Sequence, residues 1–173
     1  LIEFWKRFID DIFFLFYGSE EELQTLMKYM NNMHPTIKFT FDYSQHRIAF
    51  LDTLVYVDAE RKLQTTIYRK PTDKMCLLHF NSNHPLHVKE SIVYTQALRY
   101  CWIISEDQNL DLELHTLTKT FLARKYPFHI IKRNLSKALS HTRESLLEDH
   151  IVENPVKVIP LVTPYTPVGQ FVS

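Results

Sequence analysis

The sequence predicts an α+β fold, in which a β-hairpin, a helix and a three-strand antiparallel meander precede a small helical bundle. Apolar runs in the first 70 residues are rich in β-branched and aromatic side chains, which favour strands, whereas residues 86–139 repeat apolar side chains at helical spacing. Only two glycines occur among 173 residues, which excludes a glycine-rich phosphate loop. We expect three parts: residues 1–70, the helical residues 71–141, and a Pro-rich linker or tail at 142–173.

The first element is a hairpin in the stretch "FIDDIFFLF", residues 8–16. Its flanks suit two short strands, and Asp10 and Asp11 then fall at the turn between them. Burial of adjacent carboxylates inside an apolar run costs free energy unless a partner neutralises their charges. A divalent cation does this well. The alternative is that the two aspartates only form a turn and bind no metal, which is the commoner role of adjacent aspartates.

A helix and three strands follow the hairpin. Ser19 and Glu22 have the spacing of a capping box, and apolar residues at 3/4 spacing continue the helix until the asparagines at 31 and 32 and Pro35 end it. Alternation predicts strands at 37–41, 47–57 and 62–68, with "DYSQ" and "DAER" as the turns. A corner is also expected around residues 50–52.

Three helices make up the predicted bundle. Pro85 suits the first turn of a helix over 86–104, "SEDQ" at 105–108 reads as a second capping box, and Pro127 begins a shorter helix over 128–139. The second helix carries an apolar stripe that comprises Leu110, Leu114, Leu117, Phe121 and Leu122. Four prolines between 155 and 173 predict an extended segment.

The formal net charge of zero hides a gradient along the chain. Residues 1–68 hold 7 Lys and Arg against 10 Asp and Glu, whereas residues 69–137 hold 11 against 6. A basic middle beside an acidic start fits a surface for polyanions next to a metal site, although proteins that bind neither also show it. The two cysteines do not predict a disulfide framework, so we expect an intracellular protein, and no apolar run is long enough for a membrane span.

Several separated motifs resemble the reverse transcriptase of Penelope-like retroelements, in order and with similar spacing over about residues 4–140. They are "KRFIDDIFFLF", "EEEL", "HPTIKFTFDYS", "IAFLDTLVYV", "LQTTIYRKPTDK", "LHFNSNHPLHVKESIVYTQALRY" and "RKYP". The resemblance implies that residues 1–70 are the C-terminal part of a polymerase palm with motif C. It implies a thumb at 71–141, a region that is also similar to a helix-turn-helix unit.

By that resemblance, Asp10 and Asp11 are the motif C ligands of two Mg²⁺ ions that activate the primer hydroxyl and neutralise the phosphates of a deoxynucleoside triphosphate. Phe50, Leu51 and Asp52 fall on the primer-grip hairpin. Lys38 falls in motif D, where a lysine can protonate the pyrophosphate leaving group, or it is a solvated lysine beside a strand.

The resemblance also implies what this chain lacks. The fingers and motifs A and B of the palm have no counterpart in it, so this chain alone should not polymerise DNA. Because it begins with Leu1 rather than Met, we expect it to be part of a longer polypeptide that supplies those parts. We expect that polypeptide to be nuclear. Two turns depart from the family: "DAER" stands where "NG" is frequent, and "RKYP" where "RGYP" is frequent.

Basic residues cluster where the sheet meets the helices. The candidates for contacts to an RNA template and a DNA primer are Arg69, Lys70, Lys74, Lys89 and Arg99. Tyrosines at 68, 94 and 100 lie among them, and the alternative roles are solubility and helix pairing. The alternative function is a non-catalytic helical module that binds nucleic acid, from a degenerate or domesticated element.

Overall fold

The computed structural model describes residues 2–148 of the chain, and the Pro-rich tail predicted at 142–173 lies mostly outside them. Its elements confirm the α+β class, with two small antiparallel sheets and five helices in this part of the chain. The order is β1 (Ile2–Phe8), β2 (Asp11–Phe16), α1 (Glu20–Asn32), β3 (Arg47–Phe50), β4 (Thr53–Val57), β5 (Leu63–Ile67), α2 (Leu86–Ile103), α3 (Asp107–Ala123), α4 (Phe128–Leu139) and α5 (Arg143–Leu147).

The predicted hairpin is present as the pair β1–β2, from Phe8 opposite Asp11 to Phe4 opposite Leu15, and the register shifts between Phe4 and Ile2. Helix α1 begins as the sequence indicates, because the Ser19 hydroxyl accepts from the backbone N–H of Glu22 while the Glu22 carboxylate accepts from the N–H of Ser19. Gly18 allows this close approach, since a Cβ there would lie 2.6 Å from Glu22 Oε2.

The three-strand meander exists, but its strands differ from those predicted. Residues 37–41 form no strand, because the Asn31 side chain donates to the carbonyl of Phe39 and accepts from its N–H, which occupies the groups a neighbouring strand would need. The stretch 47–57 folds back at residues 51–52 and supplies both β3 and β4. Strand β5 then pairs with β4, from Leu63 opposite Val57 to Ile67 opposite Thr53.

The main core lies between the helices and the inner side of the meander. Helix α2 packs against α3, α4, α5 and β5. The core consists of buried residues from these elements: Ile67, Val93, Ala97, Tyr100, Cys101, Ile104, Leu114, Leu117, Phe121, Tyr126, Ile131 and Ala138. Ile67 of the meander belongs to it, so the sheet and the helices share one apolar interior.

Three details of the helical prediction are corrected. Ser105 does not cap α3, because its hydroxyl donates to Gln64 Oε1 and accepts from the N–H of Thr65, and Glu106 is the N-cap residue instead. Leu122 ends the predicted stripe outside the core, since it is exposed. Residues 143–147, which the sequence assigned to the linker, form the short helix α5.

Candidate nucleic-acid interface

Asp10 and Asp11 lie at the tip of the β1–β2 hairpin, and both are exposed. The turn is fixed by Ile9, whose φ is 55°, and by a 2.7 Å hydrogen bond from Arg7 Nε to the carbonyl of Ile9. Two exposed carboxylates can ligate a hard cation such as Mg²⁺. Within residues 2–148, however, no three His, Cys, Asp or Glu side chains are grouped as metal ligands would be.

The corner at residues 50–52 connects this hairpin to the helices. The Phe50 ring packs against the Phe13 ring of β2, with centroids 5.5 Å apart. Side chains two residues apart share a face of a strand, so this contact is on the face of β2 that also carries Asp11. Leu51 turns the chain with a φ of 57°.

Asp52 forms an ion pair with Arg99 of α2. The acid at this corner therefore has the donor from the helical part that an acid between apolar residues requires. Both side chains are more than a third exposed, so the pair is screened by solvent and contributes modestly to stability.

Arg69, which follows β5, is held by a second cross-element pair. Its guanidinium donates to both carboxylate oxygens of Glu113 on α3 and to the Tyr100 hydroxyl at 3.0 Å. The bond to Glu113 holds the pKa of Arg69 above its ordinary value. This cation therefore joins the meander to the helices, in a half-buried site where its charge is already matched.

An open cavity of about 470 Å³ lies between the meander, the connector that follows β5, and α2. Five of the predicted nucleic-acid contacts line it, namely Leu51, Asp52, Arg69, Lys70 and Arg99. Its lining does not include Asp10, Asp11, Lys38, Phe50, Lys74 or Lys89.

The remaining predicted residues lie elsewhere. Lys38 donates to the carbonyl of Asn31, near the C-terminal end of α1, where the helix dipole stabilises a positive charge. Lys89 holds its ammonium 5.3 Å from the centroid of the Phe80 ring, and Lys74 lies in the connector before α2. The catalytic role of Lys38 and the nucleic-acid contacts stay predictions.

Helix α4 carries a basic surface that the sequence reading missed. Its inner side is buried through Ile130, Ile131, Asn134 and Ala138. Its outer side exposes a set of mostly basic or polar side chains, which we call the α4 face: Phe128, His129, Lys132, Arg133, Ser136 and Lys137. The signal was present, because no Asp or Glu occurs between Glu113 and Glu144.

Two cations of the α4 face also contact α2. Arg133 pairs with Glu90 at 2.6 Å, and the Lys137 ammonium lies 4.7 Å from the centroid of the Tyr94 ring. Lys132 lies nearer the middle of the outer side, since it is two positions from the buried Asn134 and Ile130 in either direction.

A four-residue turn, 124–127, joins α3 to α4. Lys125 has a φ of 66°, the N–H of Tyr126 donates to the carbonyl of Phe121, and the Tyr126 ring is buried between Phe80 and Phe121. A turn of this length between two helices that pack on a preceding helix is a feature of helix-turn-helix units. In such units the second helix of the pair reads the groove of DNA.

Comparison with known proteins agrees with this arrangement. The family model described as "Animal helix-turn-helix domain" matches residues 76–136, which cover α2, α3 and most of α4. No curated protein and no solved structure matches the chain. The helices within residues 2–148 include no candidate for a bilayer-spanning segment. The helix-turn-helix part of the family resemblance is thus supported, whereas its reverse transcriptase part stays a prediction.

Proposed function

We propose that residues 76–139 bind nucleic acid through the α4 face. The observation that carries the proposal is a coincidence of two features: the helix-turn-helix match ends on α4, and α4 exposes cations in a stretch without any acidic residue. A surface of this kind attracts phosphates and releases their counterions. Among the acids of the same helical unit, Glu90 on α2 pairs with Arg133 of this face, whereas Asp107 and Asp111 lie in the first half of α3.

Lys132→Ala tests this proposal with the purified chain and a fluorescent primer–template duplex. We expect affinity to fall for all sequences alike, and the slope of log K against log salt to decrease by about 1. Lys119→Ala is the matched control, because Lys119 is an exposed lysine of the same helical unit on α3. Binding that is insensitive to salt, or equal losses from both variants, would contradict an interface on the α4 face.

As the activity of the complete polypeptide, we propose RNA-directed DNA polymerisation. Two features support it: Asp10 and Asp11 are exposed at a hairpin tip, and the corner at Phe50 packs against that hairpin. Asp10 and Asp11 would hold two Mg²⁺ ions together with a further carboxylate from upstream strands. The partners would be an RNA template, a DNA primer and deoxynucleoside triphosphates, in the nucleus.

Asp10→Asn tests this activity in a polypeptide that also carries the upstream palm strands. We expect loss of primer extension with template binding nearly unchanged. The reason is that the Asp10 carboxylate would ligate the metal ions, whereas the α4 face would bind the duplex. Lys132→Ala should have the opposite profile, with weaker binding and extension that recovers at high template concentration. Normal extension by Asp10→Asn would remove the metal-ligand role, and the non-catalytic binding module would then be the better description.

A further inference from the structure

One large apolar side chain interrupts the polar outer side of α4 at its first turn. Phe128 is the first residue of the helix and is 60% exposed, although the two isoleucines that follow within the same turn are buried. Pro127 precedes it as the N-cap residue with a φ of −61°, so the backbone that presents the ring is restrained. In helix-turn-helix units, the N-terminal residues of the second helix are those that reach the bases.

The neighbours of Phe128 are cationic or polar. Lys132 and Ser136 follow at intervals of four residues, so they share one face of α4 with the ring. Lys125 and His129 are exposed on the chain just before and after it. An aromatic ring among cations is the arrangement by which single strands are bound, since the cations follow the phosphates and the ring stacks on a base.

Whether a base is paired and stacked, or unpaired, determines how much binding energy an aromatic ring can gain from contact with it. In a continuous duplex both faces of each base are covered by its neighbours, and the major groove offers a phenyl ring little more than the methyl group of thymine. An unstacked base offers its whole face to the ring. We propose that Phe128 stacks on an unpaired base, so that the α4 face prefers nucleic acid with a single-stranded segment, such as the template overhang of a primer–template, over blunt duplex. This inference rests on the proposed binding by the α4 face.

The experiment compares three fluorescent DNA probes of related sequence: a single strand, a blunt duplex, and a duplex with a single-stranded overhang. We expect Phe128→Ala to weaken binding to the two probes with unpaired bases by about tenfold, and binding to blunt duplex by less than about twofold. Phe128→Trp should retain the preference, because it keeps an aromatic face. Phe128→Leu should lose it, because it keeps only apolar bulk.

Leu139→Ala is the matched control, since Leu139 is an exposed apolar residue at the other end of α4. Equal weakening on all three probes by Phe128→Ala would overturn the inference in favour of a contact in the duplex groove. Full affinity of Phe128→Leu would also overturn it, because stacking would then be unnecessary. If the wild-type chain bound none of the probes, or bound them without any effect of Lys132→Ala, the proposed function itself would fail.

Discussion

At the scale of single residues, five side-chain-bearing residues within residues 2–148 have the positive φ that suits glycine, and two of them lie in the β4–β5 and α3–α4 turns. Arg61 in the β4–β5 turn has a φ of 61°, and Lys125 in the α3–α4 turn has a φ of 66°. A residue with a Cβ adopts this region at a cost of about 1–2 kcal/mol. These are the two turns in which the resembling family often has glycine. Each of these two turns therefore carries local backbone strain.

Replacement of Lys125 by glycine should relieve that strain. We expect Lys125→Gly to raise the free energy of unfolding by about 1 kcal/mol in urea denaturation. The reason is that glycine adopts the positive φ at the C-terminal end of a helix without steric strain. Lys119→Gly is the control, and it should cost about 1 kcal/mol, since Lys119 is exposed in the interior of α3. A loss of stability in both variants would show that the Lys125 side chain makes a larger contribution than its backbone strain.

At the scale of elements, a hydrogen-bond network connects the meander to the start of α3. We call this network the joint, and it comprises Tyr56, Glu106 and Asn109. The Tyr56 hydroxyl of β4 donates to the Glu106 carboxylate, and Asn109 Nδ2 donates to both groups, at 2.7 Å and 2.6 Å. Next to it, the Thr65 hydroxyl donates to the carbonyl of Ile103 at 2.5 Å. Such a network fixes the angle between sheet and helix more specifically than apolar contact does.

The joint predicts a dependence of stability on high pH. Burial, together with the hydrogen bond to Glu106, raises the pKa of Tyr56 to about 12. Because an unfolded tyrosine titrates near 10, the contribution of Tyr56 is fully present below about pH 10 and is lost as the pH rises towards 12. Denaturation at pH 9 and pH 11 should show this loss in wild type and a smaller loss in Tyr56→Phe.

Tyr29→Phe serves as the control for the joint, because Tyr29 is exposed on α1. It should leave the pH dependence as in wild type. If Tyr56→Phe lost as much stability between the two pH values as wild type did, the hydrogen bond to Glu106 would not be the source of the effect.

At the scale of the whole molecule, the meander packs as part of the helical unit. Ile67 lies in the helical core, Arg69 is bound to Glu113, and Asp52 is paired with Arg99. The hairpin β1–β2 meets the meander at Phe50, in a contact between two rings. We therefore expect residues 47–148 to behave as one cooperative unit.

Two truncated chains measure this. A chain of residues 47–148 should unfold in one cooperative transition, whereas residues 71–148, which follow the boundary expected from sequence, should be less stable by at least about 3 kcal/mol. The shorter chain lacks Ile67 in the core and leaves Glu113 and Ser105 without their partners. Equal stability of the two chains would support the sequence-based boundary at residue 70.

Expectations from sequence succeeded where the signal is local. The start of α4 follows from Pro127, which is its N-cap residue, and the start of α1 follows from the three-residue spacing of Ser19 and Glu22. The strand expected at 37–41 is absent, because alternation of apolar and polar side chains is not sufficient to form a strand. Its hydrogen-bonding groups need a neighbour, and the side chain of Asn31 occupies those of Phe39.

The sequence by itself determined the α+β class, the Asp pair at a hairpin tip and the helices of the match, because capping, turn and periodicity signals act within a few residues. Only the tertiary structure decided which cations are paired with a carboxylate of another element. Arg69 and Arg99 carry the same charge as Lys132, but their partners Glu113 and Asp52 lie more than 40 residues away along the chain. A contact over that separation depends on how the elements pack, which no local pattern encodes. The α4 face is therefore a candidate interface in addition to the sheet–helix junction, where the predicted contacts stay predictions.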